Sequence, residues 1–225
     1  ITKLFLPPND LEYEKAYKPF LLIKKKRYSG MKFEPGLPAK LHIKGLESVR
    51  RDFAPILVEA QKKILHLLLI EEDIDKLKDY VRQVVHDLHT NKIPLEKLTM
   101  SKKLSRPPEE YKSIAAHVSL AIRLAKENPI LAPVSGDRVP YLIYEGAGNQ
   151  STRACTPEEA REGKYIVDRG YYLDKQLRTP LLRLLKFIMD MKTAESLFRS
   201  SIIVKDKIHE SNMMHRFVKG RSKRK

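Results

Sequence analysis

A run of four cations followed by an aromatic residue is the feature of this sequence with the clearest chemistry: Lys24-Lys25-Lys26-Arg27-Tyr28. Alternate side chains of a strand point to opposite faces, so Lys24, Lys26 and Tyr28 are expected on one face. The other two cations are expected on the opposite face. Long cations beside an aromatic ring suit a DNA minor groove, where every base pair offers purine N3 or pyrimidine O2 acceptors. The run therefore indicates a DNA contact that does not read sequence; the alternatives are a solvated charged strand or a nuclear localisation signal.

Arg50 and Arg51 form a second basic group, beside Asp52 and at the predicted start of a helix. Guanidinium groups in such a place suit contacts to DNA phosphates, which fix position without reading sequence. The alternative is an ion pair with Asp52 or Glu47. We expect at least one of the two arginines to contact phosphate.

A third basic group is Lys102, Lys103 and Arg106, which alternate with Leu104 and Ser105. On a short strand Lys102 would share a face with Leu104, and Lys103 would share the other with Ser105. One lysine is therefore enough to face a phosphate. Such contacts also give binding its dependence on salt.

Paired carboxylates suitable for two-metal phosphoryl transfer are not evident in this sequence. The one Asp-x-Asp is Asp73-Ile74-Asp75, at the start of a predicted amphipathic helix. Carboxylates two positions apart on a helix do not face each other. We interpret them as helix-start acids.

The composition favours a polyanionic partner for the whole chain. Its 225 residues carry 44 Lys and Arg against 28 Asp and Glu, a formal net charge of +16, and 42% of residues are hydrophobic. That content can bury a core, and a surplus of this size usually persists because the partner is nucleic acid or an anionic surface. The longest apolar stretch, residues 64–70, is far shorter than the ~20 residues of a spanning helix. The single cysteine, Cys155, excludes an internal disulfide and a cysteine-rich zinc site, and it indicates an intracellular, reducing setting.

Hydrophobic periodicity predicts an α+β fold, with a small antiparallel hairpin followed by a mainly helical part. Residues 11–14 alternate apolar and acidic side chains, residues 20–23 are an apolar run, and residues 28–33 are expected to form a second strand. A turn follows at Pro35-Gly36-Leu37-Pro38. Later short strands are expected at residues 96–104 and 139–144. Helices are expected at residues 48–70, 74–88, from 109 after Pro107-Pro108, from 157 after the capping residue Thr156, and at 171–191, 193–200 and 207–218.

The basic run lies in a segment, residues 11–28, that resembles the late palm of family B DNA polymerases. The likeness is closest to the delta-type eukaryotic enzymes and the polymerases of large DNA viruses. Further blocks follow in the family's order, over about residues 11–183. They are Lys44-Gly45-Leu46-Glu47-Ser48-Val49-Arg50-Arg51-Asp52, residues 98–106, Ala116-His117-Val118-Ser119-Leu120-Ala121, Gly136-Asp137-Arg138-Val139-Pro140-Tyr141 and Tyr171-Tyr172-Leu173-Asp174-Lys175-Gln176-Leu177.

This resemblance implies that residues 1–47 are the end of a polymerase palm and residues 48–225 a thumb with a basic tail. The matching element of the family, here Lys25, Lys26, Arg27 and Tyr28, grips newly made duplex from the minor groove. The implied parent is a DNA-directed DNA polymerase, working in the nucleus or at a viral replication site.

The resemblance also implies Mg²⁺ in the complete polymerase, held mostly by carboxylates upstream of this chain. Glu14 matches a glutamate near that metal site, and the alternative for Glu14 is an exposed carboxylate paired with a neighbour. The implied partners are primer–template DNA and the exonuclease, fingers and palm core of the parent. A processivity factor is compatible with this, although no Gln-x-x-apolar-x-x-aromatic-aromatic motif is evident. We expect this chain alone to be catalytically silent.

Two other functions are consistent with the residues alone. One is a stand-alone basic nucleic-acid-binding module. The other is a protein that binds a membrane surface or another anionic partner through charge. We also expect His117 to be a packing histidine, because it lies in the middle of an amphipathic helix.

Overall fold

The computed structural model describes residues 12–50, 52–130 and 132–199. A three-stranded antiparallel sheet comes first, and a mainly helical part with a second small sheet follows. This order confirms the predicted α+β class. None of the described helices is long and apolar enough to cross a membrane.

The first sheet has the order β1-β2-β3, with β1 at Ala16–Lys24, β2 at Arg27–Glu34 and β3 at Leu37–Lys44. Its inner face packs on the hydrophobic core through alternate residues of the outer strands: Leu21, Ile23, Leu41 and Ile43. Its outer face is exposed. Period-two alternation thus places one side chain in two against the core.

Two sequence expectations for this region were wrong. Of the half-buried strand predicted at residues 11–14, the described residues 12–14 lie before β1 and form no strand. The basic run does not continue along one strand: Lys24 ends β1, Lys25 and Lys26 form the turn, and Arg27 begins β2. The predicted sorting of the cations onto two strand faces therefore does not apply.

The helices of the described residues alternate with short loops. They are α1 Pro55–His66, α2 Ile74–His89, α3 Leu95–Leu98, α4 Ala116–Glu127, α5 Pro157–Arg161, α6 Arg169–Tyr171, α7 Thr179–Leu185 and α8 Met191–Ser196. Short 3-10 turns lie at Glu47–Val49, Pro108–Glu110 and Gln150–Thr152, and π-helical segments at Leu67–Glu71 and Tyr172–Arg178.

Helix α2 confirms its predicted apolar stripe, because Leu77, Val81, Val85 and Leu88 are buried. Helix α1 begins at Pro55, seven residues later than predicted. Helix α4 also begins later than predicted, at Ala116, because the segment after the two prolines forms only a 3-10 turn.

The second sheet joins distant parts of the helical region. Strands β4 Met100–Lys103, β5 Arg138–Ile143 and β6 Ala154–Cys155 have the order β4-β5-β6 and are antiparallel. The Cys155 thiol is buried in this sheet, and burial raises its pKa to about 11.

The helical stretch predicted for residues 171–191 is continuous only in part. A π-helical segment, Tyr172–Arg178, precedes Pro180, which has no N–H to donate and occupies the first turn of α7. The predicted helix at residues 207–218 and the basic tail lie outside the described residues.

Candidate nucleic-acid interface

The tip of the β1–β2 hairpin presents three lysines to solvent. Lys24, Lys25 and Lys26 are exposed, and none of them forms an ion pair within the described residues. Lys26 has a positive φ of 64°, a conformation that closes the two-residue loop. Because Lys24 ends β1 and Lys25 and Lys26 form the turn, the three side chains do not alternate along one strand.

The outer face of the first sheet continues from this tip. Tyr28 lies between Leu22 of β1 and Lys44 of β3, and the Lys44 ammonium is 5.9 Å from the centre of the Tyr28 ring. Phe20 and Leu22 are 47% and 58% exposed. We call Lys24, Lys25, Lys26, Lys44, Phe20, Leu22 and Tyr28 the tip surface.

Beside the tip surface, Tyr17 and His42 complete an aromatic cluster. The Tyr17 hydroxyl is 2.7 Å from His42 Nδ1, and the rings of Tyr17, Phe20 and Tyr28 have centres 5.4–5.7 Å apart. Burial lowers the pKa of His42, and the nearby ammonium groups of Lys32, Lys15 and Lys44 lower it further. The charges of these lysines thus contribute a positive electrostatic potential at the imidazole.

Arg27 differs from the three lysines because its side chain is engaged. Its Nη2 is 3.3 Å from Glu47 Oε1. The same oxygen accepts from Arg183 Nη1 at 3.4 Å, and Glu47 Oε2 accepts from Gln61 Nε2 at 3.0 Å. These four residues form what we call the Glu47 junction, which joins β2 to α1 and α7.

The Glu47 carboxylate is held as an anion although its side chain is only 3% exposed. Burial opposes ionisation, yet the bond from Gln61 and the charges of Arg27 and Arg183 lower its pKa overall. The junction was not predicted beyond a potential pairing of Glu47 with an arginine at residues 50–51. The buried partner of Arg27 has no local sequence signal, because the two residues are 20 positions apart.

Gly45 provides a second contact to the hairpin tip. It has a φ of +70°, and a Cβ built there would lie 2.1 Å from the Lys26 carbonyl oxygen. Only glycine allows the chain after β3 to pass this close to the turn.

Of the second basic group, Arg50 is exposed but paired. Its guanidinium donates to both carboxylate oxygens of Asp52, at 3.0 and 2.7 Å, and lies 5.1 Å from the centre of the Phe53 ring. The predicted alternative, an ion pair with Asp52, is therefore formed by Arg50. Arg51 lies outside the described residues.

The third basic group lies at the exposed end of β4. Lys102 and Lys103 are exposed, while Leu104 is buried. Lys103 is paired in register with Arg138 of β5, whose guanidinium donates to Ser101 Oγ at 3.1 Å. Arg138 was not predicted as a cation of this site, because it lies 35 positions from Lys103 in the sequence and strand register brings the two together.

Arg106 follows this strand, outside it. Its guanidinium carbon lies 5.6 Å from the centre of the Tyr111 ring, and the Tyr111 hydroxyl accepts from the Ser105 N–H at 2.7 Å. The cation is exposed. These contacts hold the loop that bears Arg106 without using an opposite charge.

His117 is a packing residue, as predicted. It is 3% exposed, and its ring lies near those of Tyr111 and Tyr141, with centres 6.3 Å away in both cases. Burial, followed by the charge of Lys102, lowers its pKa to about 4.

The carboxylates of the described residues do not assemble a metal site. No group of three His, Cys, Asp or Glu side chains among them could hold a metal ion. Glu14 is exposed and pairs with Lys15. Asp73 caps α2 by accepting from the Lys76 N–H at 2.9 Å, and Asp75 pairs with Lys78. These residues by themselves do not fit a magnesium site.

Comparison with known proteins gives a consistent result along most of the chain. Residues 1–188 match the family model described as DNA polymerase family B. The chain is 40% identical over 192 residues to the DNA polymerase delta catalytic subunit of Caenorhabditis elegans and 41% identical over 192 residues to that of Drosophila melanogaster. Each match covers 84% of this chain but only 18% and 17% of the relative, respectively.

A solved structure is similar as well. The family B DNA polymerase from the hyperthermophilic archaeon Pyrobaculum calidifontis matches with a TM-score of 0.62 and 29% sequence identity. The match covers 76% of this chain and 22% of that one. This chain thus spans less than one quarter of the length of the proteins it matches.

Proposed function

Because this chain belongs to the family B DNA polymerases, we propose that it is the end of the palm and the thumb of a DNA-directed DNA polymerase and that it holds the primer–template duplex. The observation that carries the proposal is the tip surface. Three consecutive lysines there form no ion pair with any described residue, and they adjoin an exposed face of aromatic and apolar side chains. We place the palm part at residues 1–47 and the thumb at residues 48–225.

The tip surface has the chemistry of a contact that does not read sequence. Ammonium groups at the end of a narrow hairpin can reach the minor-groove acceptors that all base pairs share, or the phosphates that border the groove. We assign this role to Lys25, Lys26 and Tyr28, with Lys24 and Lys44 adding positive charge. Arg27 supports the contact from inside, because Glu47 engages its guanidinium.

A second contact is proposed for the cations of the helical part. Lys102, Lys103 and Arg106 are exposed around β4, and Arg138 lies beside Lys103. Together they suit the phosphates of a strand running past the second sheet. Arg50 and Arg51 are the further phosphate contacts of this proposal, and for Arg50 DNA would compete with Asp52 for the guanidinium.

Catalysis belongs to the complete polymerase in this proposal. Phosphoryl transfer needs paired carboxylates that hold metal ions, which we take to be Mg²⁺, and the described residues do not supply the pair. The carboxylates would come from the remainder of the parent, and Glu14 could only assist them. The parent would be a delta-like replicative enzyme acting in the nucleus or at the replication site of a large DNA virus.

The test is a variant with Lys25→Ala and Lys26→Ala, assayed for binding to a duplex with a recessed 3′ end over a range of salt. If the lysines neutralise phosphates, the slope of log affinity against log salt should fall by about 1 for each contact removed. If they reach only the groove, affinity should fall for all sequences alike. Lys92→Ala with Lys126→Ala is the control matched in charge, since both residues are exposed and form no ion pair within the described residues. Loss of affinity equal to that of the control would contradict the proposal.

Choice of ligand distinguishes this function from a stand-alone nucleic-acid module and from a charge-driven membrane binder. We expect the recessed duplex to bind more tightly than single-stranded DNA or vesicles with anionic headgroups at the same salt concentration. Equal binding to the three would favour a general polyanion binder.

A further inference from the structure

We propose that Glu47 is a positioning residue, which fixes the hairpin tip on helices α1 and α7 and so sets where the tip lysines meet the duplex. This rests on the proposed function. The geometry that points to it is the Glu47 junction, where one carboxylate accepts hydrogen bonds from three different segments of the chain.

The position of Arg27 makes the junction relevant to the tip. Arg27 is the first residue of β2, directly after the turn formed by Lys25 and Lys26. Its guanidinium is 3.3 Å from a carboxylate that is 3% exposed. The chain is therefore held within one residue of the proposed contact, by a side chain that is only 22% exposed.

On the helices, Glu47 is held by two side chains, Gln61 of α1 and Arg183 of α7. Gln61 of α1 donates to Oε2 at 3.0 Å and accepts from the Ser48 N–H at 2.8 Å, which locks the amide in one orientation. Arg183 of α7 donates to Oε1 from a side chain that is 56% exposed. A buried carboxylate with fixed donors resists displacement, because moving any donor leaves a charge without compensation.

Gly45 adds an independent restraint on the same turn. Its backbone passes so close to the Lys26 carbonyl that a Cβ would lie 2.1 Å from that oxygen. The tip is thus held at two points, by the backbone at Gly45 and by the carboxylate at Glu47. The glycine lets the chain after β3 pack against the turn, and the carboxylate holds the strand that follows the turn.

The central test compares Glu47→Gln with Glu59→Gln in the 225-residue chain. Each change removes one negative charge, and Glu59 is an exposed residue of α1 that pairs with Lys97 at 2.6 Å. Net charge alone predicts slightly tighter duplex binding by both variants. Positioning predicts the opposite sign for Glu47→Gln, a loss of about three- to tenfold, as expected when about one charged contact is misplaced.

A double-mutant cycle that combines changes at Lys26 and Glu47 tests whether Glu47 acts through the tip lysines. Lys26→Ala should weaken binding clearly in the wild-type chain and by less than about twofold in the Glu47→Gln chain, because a misplaced lysine has little contact to lose. Arg27→Lys is a second variant that keeps all charges but loses the planar fork, and it should behave like Glu47→Gln.

Amide hydrogen exchange without DNA separates this inference from the proposed function. Faster exchange over residues 24–30 in Glu47→Gln, with wild-type exchange in Glu59→Gln, would support positioning even if Lys26→Ala had no effect on DNA binding. Unchanged exchange there, together with duplex binding equal to that of Glu59→Gln, would overturn it. Exchange in α2 serves to verify that each variant is folded.

Discussion

Individual buried side chains in this chain take opposite charge states for identifiable reasons. Glu47 remains an anion because two guanidinium groups and an amide surround it. His117 remains neutral because it is buried beside two tyrosine rings and because the charge of Lys102 disfavours a second cation. Burial raises the energy of both charged forms, and the neighbours determine the outcome.

His117 should make the chain sensitive to mild acid. Its folded-state pKa of about 4 is below the unfolded value of about 6.5, so the unfolded chain takes up the proton first. Its contribution is complete above pH 6.5 and is lost as the pH falls toward 4. The change from pH 7 to pH 5 should cost about 2 kcal/mol. His117→Phe should remove that part of the pH dependence in urea unfolding; the same loss in both chains would contradict the assignment.

Glu159 should affect the free energy of unfolding at a lower pH than His117 does. Its carboxylate receives two bonds from Arg123, at 2.7 and 2.6 Å, and these bonds outweigh burial and lower its pKa to about 2. The stabilisation is therefore complete above about pH 4.5 and is lost as the pH falls toward 2. Glu159→Gln should destabilise the chain by about 1–2 kcal/mol at pH 7 and by roughly half as much at pH 3. Thermal unfolding at the two pH values measures this, and a constant difference would rule it out.

At the scale of elements, the β1–β2 hairpin and the segment after β3 pack against each other and depend on each other's backbone conformation. The turn at Lys25 and Lys26 needs a residue with positive φ, and the segment after β3 needs a glycine to pass the turn. Neither requirement is visible in the hydrophobic pattern. The first follows from the pairing of Lys24 with Arg27, and the second from the pairing of Tyr28 with Lys44.

Gly45→Ala should be much more damaging than Gly36→Ala. The two glycines have nearly the same φ, +70° and +72°, so the conformational cost of alanine, about 1 kcal/mol, is shared. Only at Gly45 would the new Cβ meet a backbone oxygen, since nothing lies within 4 Å of the one at Gly36. Urea unfolding of the two variants provides the comparison. Equal destabilisation would mean that the turn moves aside freely.

Much of the fold was predictable from local patterns, and the errors have physical causes. The stripe of α2 and the capping box of α5, in which Thr156 and Glu159 exchange bonds, depend on residues three and four apart. The basic turn was missed because consecutive lysines carry no turn signal of the kind that Gly, Pro, Asn or Asp supply. The Glu47 junction and the pairing of Lys103 with Arg138 depend on contacts between distant segments, which periodicity does not encode.

At the scale of the whole molecule, the cations differ in whether a carboxylate pairs with them. Many cations of the helical part pair with carboxylates, for example Lys97 with Glu59 and Arg123 with Glu159, whereas the tip lysines form no ion pair with the residues that the structure describes. A net charge of +16 favours binding of a polyanion, and the tip lysines are available for it.

The isolated chain should not extend a primer. With Mg²⁺, deoxynucleotides and a primed template we expect no templated product, because the described residues offer no group of three metal-ligating side chains. Gel analysis of a labelled primer measures this, and the same preparation should still bind the primed duplex. Any template-dependent extension would contradict the assignment of catalysis to the remainder of the parent.

The thiol of Cys155 gives the molecule a built-in chemical reporter. It is fully enclosed in the second sheet, and its raised pKa leaves almost no thiolate near neutral pH. An alkylating reagent should therefore modify it only when that sheet opens, so the rate of modification follows the opening of the fold around β6. A cysteine placed at the hairpin tip would react far sooner, and a fluorophore could be attached there while the natural thiol stays in place.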